Sequence, residues 1–337
     1  MPIIKHHIDK FLEARGDVPI LDVRSPSEYA LGHIAKARSF PLFTDEERAQ
    51  IGTMYKQVGK REAIKKGLEI VGPKMAQMVE EAESLSTDRL AVYCWRGGMR
   101  SDSVAWLLDR CGFDVDLLEG GYKSYRKALI GFFEQKLPLK VLTGYTGSKK
   151  THLLELLRKK GEQVIDIEGL ANHQGSSFGN KKSDGQPTTE QFQNALYDEF
   201  IKMDLQKTIW VEDESMNIGQ VFMPEVLYKQ KNASPHVFLE IPKAQRIGFL
   251  VEDYGSLTSD QLVAATQSIS RKLGKPQAEE AIKLINDSEL GAAADIILTY
   301  YDKRYHKSIM AKKQYVCKHI KADLSDLESI AEELATK

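Results

Sequence analysis

The stretch Ala91-Val92-Tyr93-Cys94-Trp95-Arg96-Gly97-Gly98-Met99-Arg100-Ser101 is an apolar run that ends on a cysteine, with a glycine pair leading into a helical pattern. It reads as strand, loop, helix. A cysteine at that junction faces the backbone N–H groups of the loop and the positive end of the helix, and Arg96 and Arg100 add positive charge. All three effects favour a thiolate. A cysteine that only packs needs neither the glycines nor the arginines, so Cys94 is read as a reactive residue with Arg96 and Arg100 as its catalytic neighbours.

Working outward, Pro19-Ile20-Leu21-Asp22-Val23-Arg24 is a compact β-run, and Ser25-Pro26-Ser27-Glu28-Tyr29 is a cap-like helix start. Thr44 can cap a helix whose first turn carries Asp45, Glu46 and Glu47, acidic residues suited to its positive end. Residues 55–84 look helical, with interruptions at Gly59, Gly67 and Gly72-Pro73. After Cys94 come a helix over 101–111, the run Asp114-Val115-Asp116-Leu117-Leu118 and the turn Glu119-Gly120-Gly121. Strands alternating with helices imply a parallel sheet with the reactive loop at a strand's C-terminal end.

At 337 residues and 42% hydrophobic content the chain can bury more than one core, and two domains are expected, over 1–136 and 137–337. A formal net charge of -1 gives no global pull towards nucleic acid, so RNA binding has to rest on local basic patches. Cysteines 94, 111 and 317 fall in no paired spacing, and the start Met1-Pro2-Ile3-Ile4-Lys5-His6-His7 lacks an apolar signal core. A reduced, cytoplasmic protein with no membrane partner follows. His6-His7 is too short for a metal site and reads as a solvated terminus.

Asp22-Val23-Arg24, Glu28-Tyr29, Gly32-His33-Ile34, the Cys94 loop and Leu118-Glu119-Gly120-Gly121 together resemble a rhodanese domain. In that family the loop cysteine carries a terminal sulfur as a persulfide and hands it on. Cys94 and Arg100 are also separated by five residues, the Cys-x5-Arg spacing of phosphatase phosphate cradles, which keeps a phosphatase open as an alternative.

In the second half, the β-run Leu139-Lys140-Val141-Leu142-Thr143 leads into Gly144-Tyr145-Thr146-Gly147-Ser148-Lys149-Lys150-Thr151 and a helix over 152–160, the layout of a P-loop. Backbone N–H groups from Gly144 to Thr151 would wrap a phosphate at the helix start, with Gly144, Thr146, Gly147, Ser148 and Lys149 forming the cradle. Lys150 would reach a terminal phosphate, and the Thr151 hydroxyl could ligate Mg²⁺. The pattern expects glycine at 149. Lys149 therefore either distorts the cradle or places a second cation beside it.

A second apolar strand, Thr208-Ile209-Trp210-Val211, ends in Glu212-Asp213-Glu214-Ser215 and would supply a carboxylate to the metal shell. We assign that role to Asp213, although the run itself does not choose among the three. Between these strands lies the long polar loop around Asn172-His173-Gln174-Gly175-Ser176-Ser177, where His173 and Ser176 could line a substrate cleft. Residues 244–254, 259–273, 277–287 and 290–310 show helical spacing, so the C-terminal half is expected to end as a mainly helical subdomain. A basic cluster runs from Lys303 and Arg304 through His306, Lys307, Lys312, Lys313, Lys318, His319 and Lys321, with Tyr300, Tyr301, Tyr305 and Tyr315 interleaved. It suits RNA binding or a solvated helix face about equally.

A rhodanese-like parallel sheet domain joined to a P-loop NTPase-like α/β domain with a helical C-terminal subdomain resembles the bacterial tRNA 2-selenouridine synthase family. The likeness includes Tyr55-Lys56-Gln57-Val58-Gly59, Gly120-Gly121-Tyr122-Lys123, the P-loop, Val211-Glu212-Asp213-Glu214-Ser215, Arg271-Lys272-Leu273-Gly274 and Tyr300-Tyr301-Asp302. Lys149, Gln174 and Lys303 depart from the family pattern, which has Gly, Arg and Pro there.

The resemblance implies a transferase acting on tRNA with 2-thiouridine at the wobble position. That sulfur is alkylated by geranyl diphosphate, and the S-geranyl group is then replaced by selenium from selenophosphate, the product of a selenophosphate synthase partner. Cys94 would carry the selenium as a selenosulfide. No tightly bound cofactor is implied, and Mg²⁺ is a candidate ion. Two other classes remain open: a phosphatase, or an NTPase with a regulatory rhodanese domain, and a non-catalytic RNA-binding or partner-binding protein with a decayed P-loop.

Overall fold

The computed structural model describes residues 3–14, 16, 18–85, 87–173, 185–255 and 257–335. The chain divides into two compact units, Met1–Phe132 and Phe133–Lys337.

The first unit is a five-stranded parallel sheet in the order β1-β5-β4-β2-β3, made of β1 (Ile4–His6), β2 (Ile20–Asp22), β3 (Ala37–Ser39), β4 (Arg89–Tyr93) and β5 (Asp114–Leu118). Helices cover it because β2 and β4 are apolar on both faces, as strands of a two-sided parallel sheet must be. Leu21, Val23, Val92, Leu117, Val104 and Leu108 meet in one buried cluster. Each such side chain contributes roughly 1.5–3 kcal/mol of apolar burial. The helix expected around Thr44 runs Asp45–Gln57 with a full capping box between Thr44 and Glu47.

One expectation is corrected at the N-terminus. Ile4–His6 is an edge strand rather than a solvated end, and His6 Nε2 lies 2.7 Å from Asp116 Oδ1. Burial pushes the Asp116 carboxyl up, but Arg89 and His6 together hold it below its usual value.

The second unit is also a five-stranded parallel sheet, ordered β12-β11-β6-β8-β7. Its strands are β6 (Leu139–Gly144), β7 (Gln163–Ile165), β8 (Ile209–Glu212), β11 (His236–Glu240) and β12 (Val316–Lys321), with a small antiparallel pair, β9 (Asn217–Ile218) and β10 (Val221–Phe222), set apart from it. Trp210, Leu142, Leu239, Leu153, Leu157 and Ile330 form its core. Helices Lys243–Tyr254, Ser259–Ser268, Lys275–Asn286 and Leu290–Ala311 build the expected helical subdomain.

That subdomain does not end the chain. Val316–Lys321 returns to the sheet as β12, with exposure alternating along it, and Leu327–Ala335 covers the core. Much of the anticipated basic cluster is consequently engaged: Lys312 pairs with Asp213, Lys318 with Glu333, and His319 with Glu240. Tyr301 is buried in the helical core, so it offers no stacking face. Lys303, Arg304, Lys307 and Lys313 remain exposed.

Candidate functional site

In the first unit the site begins beneath the loop. Arg24 and Asp22 are fully buried, and Arg24 Nη2 meets Asp22 Oδ2 at 2.6 Å. Arg24 also donates to the Gly32 carbonyl at 2.6 Å, and its guanidinium carbon lies 3.9 Å from the Tyr122 ring centroid. Tyr93 donates its hydroxyl to the same Asp22 carboxylate at 2.6 Å. Burial opposes charge on Arg24, yet Asp22 holds the guanidinium above its ordinary range. Removing either partner would leave an unpaired buried charge, which costs about 3–5 kcal/mol. The Asp-x-Arg motif is thus the foundation of the loop and stands outside its chemistry.

Above it, Cys94 sits between the middle strand β4 and the helix Met99–Arg110, nearly buried at 3% exposure. The Gly98 N–H points at its Sγ from 3.5 Å, and the Ser101 hydroxyl lies 3.2 Å away. The turn after β5 closes the loop: Tyr122 N–H donates to the Cys94 carbonyl at 2.8 Å, and Lys123 N–H to the Trp95 carbonyl at 3.0 Å. This approach needs Gly121, whose φ is +60° and where a Cβ would collide with the Cys94 carbonyl and the Gly97 nitrogen.

Arg96 is exposed. Arg100 is not free to serve the sulfur, because its Nη1 donates to Glu28 Oε2 at 2.7 Å. Burial pushes the Glu28 carboxyl up, but Arg100, the Ser25 N–H and Arg48 outweigh it and hold it below its usual value. The role expected for Arg100 is corrected accordingly, and the phosphatase reading loses its phosphate-binding arginine to an ion pair. Ser101 is the residue that sequence reading passed over. Its signal was its place in the first turn of a helix opening on a cysteine loop.

In the second unit, Gly144 ends the middle strand β6 and Lys150 opens the helix Lys150–Lys159. Thr146, Gly147, Lys149, Lys150, Thr151 and His173 line one cavity of about 600 Å³. Ser148 lies beneath, fully buried, its hydroxyl donating to the Tyr145 carbonyl at 2.7 Å. Lys149 adopts the left-handed conformation that glycine would favour, with φ +53° and ψ +38°, so the turn survives the substitution. Its ammonium lies 4.6 Å from the Phe249 ring centroid, beside the cradle. The Thr146 carbonyl is held from behind by buried Arg246, at 3.1 Å, and Arg246 in turn meets both oxygens of Asp302 at 2.9 and 2.8 Å.

Asp213 is corrected. It faces Lys231 at 2.7 Å and Lys312 at 2.6 Å and accepts from the Thr143 hydroxyl at 3.0 Å. Burial pushes its carboxyl up, but the two ammonium groups hold it far below the usual range. A metal ligand needs free oxygen, and this carboxylate is already satisfied. Its neighbour Glu212 takes the place beside the P-loop, accepting from the Thr151 hydroxyl at 3.2 Å. Successive residues of an extended chain face opposite sides, so Glu214 follows Glu212 rather than Asp213.

Glu168, on the one-turn helix Ile167–Leu170 after β7, completes the group. Carboxylate oxygens of Glu168, Glu212 and Glu214 all lie within 4.8 Å of one another. Burial raises the Glu168 carboxyl, with Glu212 and Glu214 adding to it and Lys150 opposing. Burial also raises Glu212 against the pull of Lys150. His173 Nδ1 is buried with no partner among the described residues, and burial lowers this imidazole while Glu214 opposes. Ser176 lies outside the described residues.

A smaller cavity of about 70 Å³ shares Thr146, Leu250 and Tyr254 with the P-loop cavity. Its other walls are apolar, with Leu262, Ile285 and Ile297 among them.

The two turns define a protein that joins a rhodanese-like cysteine-loop domain to a P-loop domain. A rhodanese-like domain model matches residues 7–128, and a model of the tRNA 2-selenouridine synthase AAA domain matches residues 137–286. A tRNA 2-selenouridine synthase of Shewanella denitrificans is 32% identical over 96% of this chain and 96% of its own length. One of Nitrosomonas europaea is 32% identical over 89% and 91%, and one of Aeromonas salmonicida is 37% identical over 71% of this chain and 65% of its own length. A crystal structure of an N-terminal domain from Clostridium difficile 630 is 42% identical over 38% of this chain and 98% of that one, with a TM-score of 0.36. The chain belongs to the tRNA 2-selenouridine synthase family. Among the described residues no helix is long and apolar enough to cross a membrane.

Proposed function

We propose that this chain converts 2-thiouridine at the wobble position of tRNA to 2-selenouridine, alkylating the sulfur with geranyl diphosphate and then replacing the S-geranyl group with selenium from selenophosphate. The family's name supports the modification. The observation that carries the two-stage reading is the junction in the second unit: a cationic phosphate cradle that shares three walls with an apolar cavity.

An isoprenoid diphosphate has that same division of character. Its diphosphate would lie on the loop N–H groups with Lys149 and Lys150, and the far end of its chain would enter the apolar cavity at Thr146, Leu250 and Tyr254. The thiouridine sulfur then attacks the carbon bearing the diphosphate. As the carbon–oxygen bond breaks, the electron pair leaves with the diphosphate, and Lys150 and the loop dipoles stabilise its developing charge. A divalent cation, if bound, would be held by Glu212 and the Thr151 hydroxyl and would supply further positive charge to the leaving group. Cys94 serves the selenation step as its nucleophile: the thiolate adds at C2 of the base and expels geranylthiolate, the selenium of selenophosphate then displaces Cys94, and water takes the phosphoryl group as phosphate. The Gly98 N–H and Ser101 hydroxyl beside Sγ stabilise the thiolate before attack and as it leaves.

The test incubates the protein with 2-thiouridine tRNA, with geranyl diphosphate and selenophosphate supplied separately and together, and analyses the nucleosides by mass. Cys94→Ser is expected to keep geranylation and lose selenation. Lys150→Ala is expected to lose geranylation by about 10²–10³-fold, the effect of removing one preorganised charge-stabilising group. Normal selenation by Cys94→Ser would remove the nucleophile role.

A further inference from the structure

From the second unit we infer that Glu168, Glu212 and Glu214 form a divalent-cation site that fills before any diphosphate arrives, so that the cation belongs to the protein and is not brought in by the substrate. The site rests on the reading of the P-loop cavity given above and goes beyond it. A P-loop threonine and one strand-end carboxylate leave most of the coordination to phosphate and water. Here three carboxylates come together from two places, the one-turn helix after β7 and the end of β8.

Three features point to a ligand. The oxygens lie within 4.8 Å of one another, close to the separations of roughly 3–4.5 Å that oxygens adopt around a Mg²⁺ or Mn²⁺ ion. Glu212 is 1% exposed, and its Oε2 has no hydrogen-bond partner among the described residues, while its Oε1 is taken by Thr151. A buried carboxylate oxygen with nothing to accept from is costly unless something cationic or protic meets it. The third feature is charge. Lys150 acts on both Glu168 and Glu212, one ammonium where three carboxylates converge. A hard divalent ion would engage all three groups together with the orphaned Glu212 oxygen.

The experiment uses Mn²⁺ as the probe, titrated into the full chain with no diphosphate present, with free Mn²⁺ read by electron paramagnetic resonance. One Mn²⁺ should bind per chain and be displaced by excess Mg²⁺. Glu168→Gln and Glu214→Gln should each weaken binding by more than about tenfold, at least the loss seen when a metal site's supporting groups are removed. Glu155→Gln, an exposed carboxylate on the same cavity, should leave binding unchanged. Thermal melts of the variants confirm that the fold is retained. If the wild-type chain takes up no Mn²⁺ without diphosphate, the site is overturned. Unchanged binding in both glutamate variants would overturn it equally. Geranylation by a chain that binds no Mn²⁺ alone would remove this site and leave the reading of the cavity standing.

Discussion

Cys94 and Lys150 occupy equivalent places in two sheets. Each lies where the middle strand of a five-stranded parallel sheet gives way to a helix. Both turns aim backbone N–H groups and a helix N-terminus at one point. In the first unit that point is occupied by the chain's own sulfur, and the turn carrying Gly121 closes over it. In the second it opens into about 600 Å³ of space lined by Lys149 and Lys150. One arrangement of dipoles therefore suits an anion attached to the protein or one that diffuses in, and what decides is whether a side chain already fills the cradle.

Four changes would break or sharpen this contrast, in falling order of effect. Asp213→Asn should destabilise the second unit by about 3–5 kcal/mol in chemical denaturation, because it strands fully buried Lys231. The same carboxyl sets an acid limit. Its folded value lies below its unfolded one, so its stabilisation is complete above about pH 4 and is lost as pH falls through the folded value. Acid titration of the wild type should show that loss, and the asparagine variant should not.

Gly121→Ala should cost about 1–3 kcal/mol from its left-handed backbone alone, with the collision on the Cys94 loop in addition. Selenation should fall and geranylation persist; loss of both would mean the two turns are not independent. Ser101→Ala should lower selenation about tenfold, the worth of one hydrogen bond to a charged group, without moving the melting temperature by more than a few degrees. Lys149→Gly should change stability by no more than about 1 kcal/mol, since relief at φ +53° offsets glycine's greater unfolded freedom. Its effect should be a raised KM for geranyl diphosphate, which steady-state kinetics would show.

The architecture of the first unit was legible because its motif residues make the loop itself: Asp22 and Arg24 support it, Cys94 fills it and Gly121 closes it. The edge strand Ile4–His6 was not, since three residues with little apolar character become a strand only when β5 offers a partner. Val316–Lys321 carries a period of two, yet its charged residues also fit a solvated helix face, and only the position of β11 decides between them.

In the P-loop cavity the cradle residues were readable from spacing. The carboxylate was not, because a slip of one residue along an extended chain moves a side chain to the opposite side, and Asp213 and Glu212 differ by that one step. Glu168 carried no local signal, for its place beside Glu212 depends on the pairing of β7 with β8.

Arg246 gives the P-loop a second identity as a mechanical coupling. Its guanidinium grips the Thr146 carbonyl on one side and Asp302, midway along Leu290–Ala311, on the other, with its Nε on the Ile241 carbonyl. The loop and the long helix are thus fastened to one rigid planar group, and neither can shift without pulling the other. Filling the cradle should therefore slow amide hydrogen exchange along residues 290–311, whose Tyr305 also lines the cavity, and Arg246→Lys should weaken that effect. The helix becomes a gauge from which occupancy of the loop can be read.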